Sequence, residues 1–347
     1  MSDRSGSASP LRVCLVSGAP DAGRCGIHDY VGQLASALAK VDGLDAAVLA
    51  HQDWSPLGTV RLLRRIRALR PDIVHMQYPM IVGWRSLGPQ ALGFLAATPQ
   101  VVTLHEFSSF TTLRRATVGA FAASAKALVF TTEFERADFA GVFPFGKAKT
   151  NVIPIGSNVP FMPHQPEPAV AIVHFGQIKP GRGIEDFLQL AQIAARNGEA
   201  WTFKVIGAPV TWAAGFVDQM RQETKDANVV WQLNLSDADV SQALRSATAA
   251  YLPYPDGVSE RRGSLIAALG NGLPVVTTRG PFQTAEIETV VEFAGDPEQA
   301  FVKVAEVVRQ PAKADAMRSA AAGFVSKFDW TQIAEAYHAV YRRSARA

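Results

Sequence analysis

Two short stretches carry side chains from which chemistry could be built. In "HFGQIKPGRGIEDFL", Lys179 and Arg182 stand on a turn with Gly176, Gly181 and Gly183, directly before a helical pattern. Two cations, open backbone amides and the positive end of a helix together suit a diphosphate. The competing reading is an ordinary basic turn. In "YPDGVSERRGSLIAALGNGLPVV", Glu260 precedes a helix that should begin near Arg262. Gly263 and Ser264 would then offer first-turn amides as a second anion seat. Glu260 could accept hydrogen bonds from sugar hydroxyls. Beside two arginines it could equally be half of an exposed ion pair worth little.

Two weaker signals lie further upstream. "SGAPDAGRCGIHDY" places Gly18, Gly23 and Gly26 between an apolar run and a helical pattern, so the backbone there could approach a ligand. It is neither a G-x-G-x-x-G fingerprint nor a P-loop, and a packing turn fits equally well. "VVTLHEFSSF" puts His105 and Glu106 just past an apolar strand, although a lone histidine is as often structural. No nucleophilic triad is apparent. His28, His51, His75 and His105 lack metal-ligand spacing, so neither a metal nor any other cofactor is expected.

The elements that must position these residues alternate. Short apolar runs such as "RVCLVS", "DIVHM" and "QVVTL" are continuous in polarity, as in parallel strands buried on both faces. Between them "GIHDYVGQLASALAKV", "GIEDFLQLAQIAARNG" and "SDADVSQALRSA" have helical spacing, the last with Ser236 as its expected N-cap. This pattern predicts an α/β chain of two doubly wound domains, whose ligands bind beyond the carboxyl ends of the strands. The expected boundaries are a disordered 1–10, a first domain over 11–160 and a proline-rich linker over 161–168. A second domain follows over 169–327, then an amphipathic helix over 328–347.

At 347 residues two domains are the natural expectation, and a net charge of +3 is too small to argue for nucleic acid. The two cysteines suggest no disulfide framework. The polar N-terminus lacks a signal-peptide core, and no window of about 20 apolar residues would cross a bilayer. A cytoplasmic location is expected. Arg61, Arg64, Arg65, Arg67 and Arg70 share one expected helix. That helix is either a peripheral contact with anionic lipid at the inner membrane face or simply a solvated basic face.

At these motifs the chain resembles the retaining GT-B glycosyltransferases, in particular glycosyltransferase family 4. The resemblance runs from about Val13 to Tyr341. It is carried by "PDAGRCGIHDYVGQLASAL", "VVTLHE", "VIPIGSN", "FGQIKPGRG", "ERRGSLIAALGNGLPVV" and "FDWTQIAEAYHAVY". It implies a GT-B fold, two Rossmann-like domains facing across a cleft, the first on the acceptor side and the second on the donor side. It implies metal-independent transfer from a nucleotide-sugar donor to a glycan, glycolipid or small-molecule acceptor, with retention. Lys179 and Arg182 match the pair that neutralises the diphosphate. Glu260 and His105 match donor-sugar contacts, and Gly23 and Gly26 the loop that nears the phosphates.

The chain departs from the family pattern twice. Gln177 stands where an arginine is common. Ala267 stands where a second glutamate holds the ribose, and a methyl group cannot accept those hydrogen bonds. Either another side chain, such as Glu286 in "TAEIE", holds the ribose, or the donor is held more loosely. Two other function classes remain: a nucleotide-sugar epimerase of similar shape, and a non-catalytic homologue that binds a partner.

Overall fold

The computed structural model describes residues 9–18, 26–79 and 86–346. Chain contacts divide it into two compact units, Met1–Gly156 with Asp329–Ala347, and Ser157–Phe328.

The first unit is built on six strands: β1 (Leu11–Gly18), β2 (Leu44–His51), β3 (Ile73–Tyr78), β4 (Gln100–Leu104), β5 (Ala127–Phe130) and β6 (Thr150–Val152). Helices α1 (Gly26–Leu38), α2 (Pro56–Leu69), α3 (Gly88–Leu95), α4 (Thr112–Ser124) and α5 (Glu133–Val142) connect them. All pairings are parallel, in the order β2-β1-β3-β4-β5-β6. Every residue of β3, β4 and β5 is buried, which explains their unbroken apolar runs. α2 opens with Ser55 as N-cap and Pro56 in its first turn, and it buries Leu62, Leu63 and Ile66. Its four arginines, Arg61, Arg64, Arg65 and Arg67, and the capping Arg70 are all exposed.

The second unit repeats the plan. Its strands are β7 (Ala171–Phe175), β8 (Thr202–Gly207), β9 (Val229–Leu233), β10 (Ala249–Leu252), β11 (Val275–Thr277) and β12 (Glu292–Phe293). They too are wholly parallel, ordered β12-β11-β10-β7-β8-β9. The helices are α6 (Ile184–Arg196), α7 (Ala214–Glu223), α8 (Asp237–Arg245), α9 (Gly263–Gly270), α10 (Ala285–Val290), α11 (Pro297–Arg309) and α12 (Pro311–Ser326). Ser236 caps α8 as expected, accepting from the Asp239 amide at 3.2 Å.

The last helix, α13 (Trp330–Arg346), packs on the first unit. Its stripe of Ile333, Ala334, Tyr337, Val340 and Tyr341 shares a core with Val13, Leu15 and Leu34. Burying a side chain such as Ile333 or Val340 contributes about 1.5–3 kcal/mol. Gly156 meets the Trp330 ring so closely that a Cβ there would lie 2.5 Å from it.

The proline-rich residues 161–168 are part of the second unit. The Gln165 and Glu167 amides donate to the Arg245 and Ser246 carbonyls, both at 2.9 Å, and the Met162 amide donates to Asn271 Oδ1 at 3.2 Å. Prolines here spare backbone donors while the remaining amides fasten the segment down. The segment is therefore a strap on the second unit.

Candidate functional site

Each sheet has one place where the strand order reverses. In the second unit the chain runs outward from β7 through β8 to β9, then returns to place β10 on the other side of β7. Ligands of open α/β sheets sit at such a point, beyond the strand ends, because the two flanking loops diverge there. The loop after β7 carries Lys179 and Arg182, and the loop after β10 carries Glu260. The two stretches singled out in the sequence thus leave neighbouring parallel strands at the same edge.

The contact between them is tight. Gly183 has φ +83°, and a Cβ there would lie 1.8 Å from the Pro253 carbonyl oxygen, just past β10. Only glycine fits that backbone and that gap. Gly181 is also left-handed, at φ +70°, and its amide donates to Glu185 at 3.0 Å. Gly176 ends the strand, its amide donating to the Ile206 carbonyl at 3.1 Å. α6 starts at Gly183 with no side-chain cap. Lys179 is half-buried and Arg182 exposed, and among the described residues neither has an ion-pair partner. Uncapped amides and two unpaired cations form an electropositive edge.

α9 likewise begins without a side-chain cap, at Arg262. Gly263 is open, with nothing within 4 Å of a Cβ built on it. Ser264 Oγ lies 2.8 Å from the Tyr254 hydroxyl. Arg262 is turned away into structure: it pairs with Asp256, donates to the Gly257 carbonyl at 3.1 Å and lies over the Tyr254 ring at 4.8 Å.

Glu260 has a partner that sequence reading missed. Its side chain is 14% exposed, and Lys327 at the end of α12 donates to its Oε1 at 2.9 Å. Thr284 makes a longer contact of 3.5 Å to the same oxygen. Lys327 also pairs with Glu286, whose side chain is 65% exposed. Burial opposes the lysine's charge, yet hydrogen bonds to Glu286 and Glu260 hold its pKa above the ordinary value. One ammonium thus joins two carboxylates that lie 26 residues apart in sequence. Glu260 and Glu286 stand together, and Lys327 rests on the Phe324 and Phe328 rings at 4.6 and 5.4 Å.

Ala267 lies elsewhere. It is fully buried in the apolar cluster with Leu252, Leu265 and Val275. α9 is apolar on nearly every face, so this position belongs to the core.

In the first unit the reversal falls between β1 and β3. Gly23 and its loop lie outside the described residues, and Gly26 opens α1. His105 follows β4 and is buried beside Tyr30, ring to ring at 5.2 Å. Burial pushes its pKa down to about 4, so the ring is neutral near pH 7. Glu106 adopts the left-handed region, φ +58°, which turns the chain sharply off the strand end.

His105 also heads a buried polar chain. Its Nε2 lies 2.9 Å from Gln77 Oε1, and Gln77 Nε2 lies 3.0 Å from His75 Nε2. His75 reaches Tyr341 at 2.6 Å and Thr103 at 2.8 Å, and Thr103 reaches Tyr337 at 2.9 Å. Tyr337 meets the Tyr30 hydroxyl at 2.8 Å. With the Gln77 amide so oriented, His105 donates from Nε2. The C-terminal helix thereby reaches the residue at the β4 strand end.

Comparison with known proteins bears on the fold. Residues 32–159 match the model for glycosyltransferase family 4. HepE from Anabaena, solved with UDP and glucose, is 15% identical with a TM-score of 0.65, covering 94% of this chain and 98% of that one. A glycosyltransferase from Rickettsia africae is 12% identical with a TM-score of 0.75, covering 97% and 99%. Sucrose-phosphate synthase from Thermosynechococcus elongatus is 18% identical with a TM-score of 0.70, covering 96% and 98%. No curated protein sequence matches.

The chain has the GT-B fold. Its first unit carries the family 4 match. In this GT-B chain the sequence signals for Lys179, Arg182, Glu260, Gly176, Gly181, Gly183 and Gly263 fall at one sheet edge of the second unit, and His105 at a strand end of the first. Lys327, Gln77, His75 and Tyr337 carried no signal, because a lone lysine before "FDW" and polar residues inside apolar runs have no readable spacing. Among the described residues no group of His, Cys, Asp and Glu could hold a metal ion, and no helix is long and apolar enough to cross a membrane.

Proposed function

We propose that this protein transfers a sugar from a nucleoside-diphosphate sugar to a glycan, lipid-linked or small-molecule acceptor. In this reading the anomeric configuration is retained and side chains, with no metal ion, balance the leaving charge. One observation carries the proposal: two adjacent parallel strands at the switch point deliver the Lys179–Arg182 turn and the Glu260–Gly263 helix start to one edge. The UDP and UDP-glucose complexes of HepE, which shares the fold, support the donor class.

As the bond between sugar and diphosphate breaks, negative charge grows on the diphosphate. Lys179, Arg182 and the first-turn amides of α6 would meet that charge with fixed positive groups, usually a large catalytic effect. Glu260 would receive sugar hydroxyls with the oxygen lone pairs that Lys327 leaves free. Gly263 and Ser264 would offer amides to the donor. Glu286, exposed and held beside Glu260, would take the ribose hydroxyls in place of Ala267. The exposed arginines of α2 would rest against an anionic bilayer if the acceptor is lipid-linked.

Calorimetric titration with UDP, GDP, ADP and their sugars tests the donor class, and no binding at millimolar concentration would sink it. Lys179→Ala and Arg182→Ala should each lower transfer by about 10²–10³ while melting temperature holds. Transfer at the wild-type rate in both variants refutes the assignment. Transfer that stops on adding a chelator would refute the metal-free step.

A further inference from the structure

The first unit holds a second site, apart from the His105 chain. A cavity of about 530 Å³ opens at the carboxyl end of β3, between α3 and α4. That size suits a small organic ligand. Its wall is apolar at the rim, where Leu87 and Leu113 are 63% and 79% exposed and Phe110 lines the side.

The floor is polar and incompletely partnered. Gln90 is buried, and its Nε2 donates to the Tyr78 hydroxyl and to Thr117, both at 3.3 Å. Its Oε1 is buried with no hydrogen-bond partner. The Arg114 guanidinium lies over the Phe110 ring at 4.6 Å and the Tyr78 ring at 5.2 Å, and its Nε donates to the Tyr78 hydroxyl at 3.4 Å. Its Nη2 is buried and has no partner, and no carboxylate pairs with this arginine among the described residues. Buried polar atoms are rarely left so. The two aromatic rings restrain the guanidinium group.

We propose that this cavity binds an anionic amphiphile. A phosphate or carboxylate oxygen meets Arg114 Nη2, a neighbouring hydroxyl donates to Gln90 Oε1, and an apolar body lies against Leu87, Phe110 and Leu113. The proposal rests on the transferase reading only in naming this ligand as the acceptor. The same chemistry is offered by a lipid headgroup in a bilayer and by a free amphiphilic phosphate.

The test is calorimetry on the full chain with decyl phosphate below its micelle concentration, inorganic phosphate, and decyl maltoside as the uncharged amphiphile. Decyl phosphate should bind once per chain, and each of the others about tenfold or more weakly, since each lacks one half of the recognition. Arg114→Gln should weaken decyl phosphate about tenfold or more. Leu113→Asp, at an exposed position that cannot disturb the core, should do the same with an unchanged melting temperature. Wild-type affinity in both variants, or inorganic phosphate binding as tightly as decyl phosphate, overturns the proposal. Displacement of decyl phosphate by phosphatidylcholine vesicles containing phosphatidic acid identifies a bilayer lipid. Binding that withstands the vesicles identifies a free amphiphile, and the site stands in either case. UDP titrated into the same samples reports on the second unit alone, so a failed donor reading and a failed cavity are told apart.

Discussion

At the scale of single residues, Ala267 shows how position outranks motif. The resemblance frames it as a lost carboxylate that once held a ribose, yet the alanine methyl is packed among Leu252, Leu265 and Val275. A glutamate there would bring an uncompensated acid into an apolar core. Ala267→Glu is therefore expected to cost about 2–5 kcal/mol in urea unfolding and to leave affinity for nucleotide no better than wild type. A stable variant with tighter UDP binding would overturn this. In the proposed function the carboxylate work falls instead to Glu260 and Glu286. Neither is a free anion, because Lys327 lies between them.

At the scale of elements, the junction between the β7–α6 turn and the end of β10 is the critical one. It depends on Gly183, whose φ of +83° and 1.8 Å clearance to the Pro253 oxygen leave no room for a side chain. Gly183→Ala is expected to destabilise the fold by about 2–4 kcal/mol, from left-handed strain plus displacement of the Pro253 backbone. Because the same movement shifts the start of α6, nucleotide binding should weaken in parallel. Gly181→Ala is the informative partner: it shares the left-handed backbone but has nothing within 4 Å, so it should cost only about 1 kcal/mol. Equal losses in the two variants, read by chemical denaturation, would show that strain alone and not the close approach matters.

At the scale of the whole molecule, His75, His105 and His174 are buried in a neutral state. Burial lowers His75 to about 3 and His105 and His174 to about 4, against an ordinary 6.5. The unfolded chain therefore takes up these protons first as the pH falls. Their contribution is complete above pH 6.5 and is lost below it, until the folded chain also protonates near pH 4. At pH 5 the loss is about 2 kcal/mol for each histidine. Melting temperature should drop between pH 7 and pH 5, and less steeply in His174→Phe, whose ring packs against Phe187 at 5.4 Å. A melting temperature flat over that range would contradict the prediction. His75 and His105 share Gln77, so their titrations are expected to be coupled.

The two α/β units are legible in the amino-acid order alone. Strands buried on both faces must be apolar throughout, and helices on a sheet must show one apolar stripe. Those demands are local and survive in a single chain. That order also marked the cationic turn at Lys179 and Arg182 and the helix start after Glu260, because glycine, cations and a helix N-terminus are contiguous. The folded chain was needed to show which carboxylates stand together and that Ala267 is core. It also decided that the proline-rich strap is fastened to the second unit, and that α13 is tied to His105 through Gln77 and His75. Each of these joins residues tens to hundreds of positions apart. Hydrogen-bond partners at that distance are chosen by strand order and helix packing, which no local pattern records.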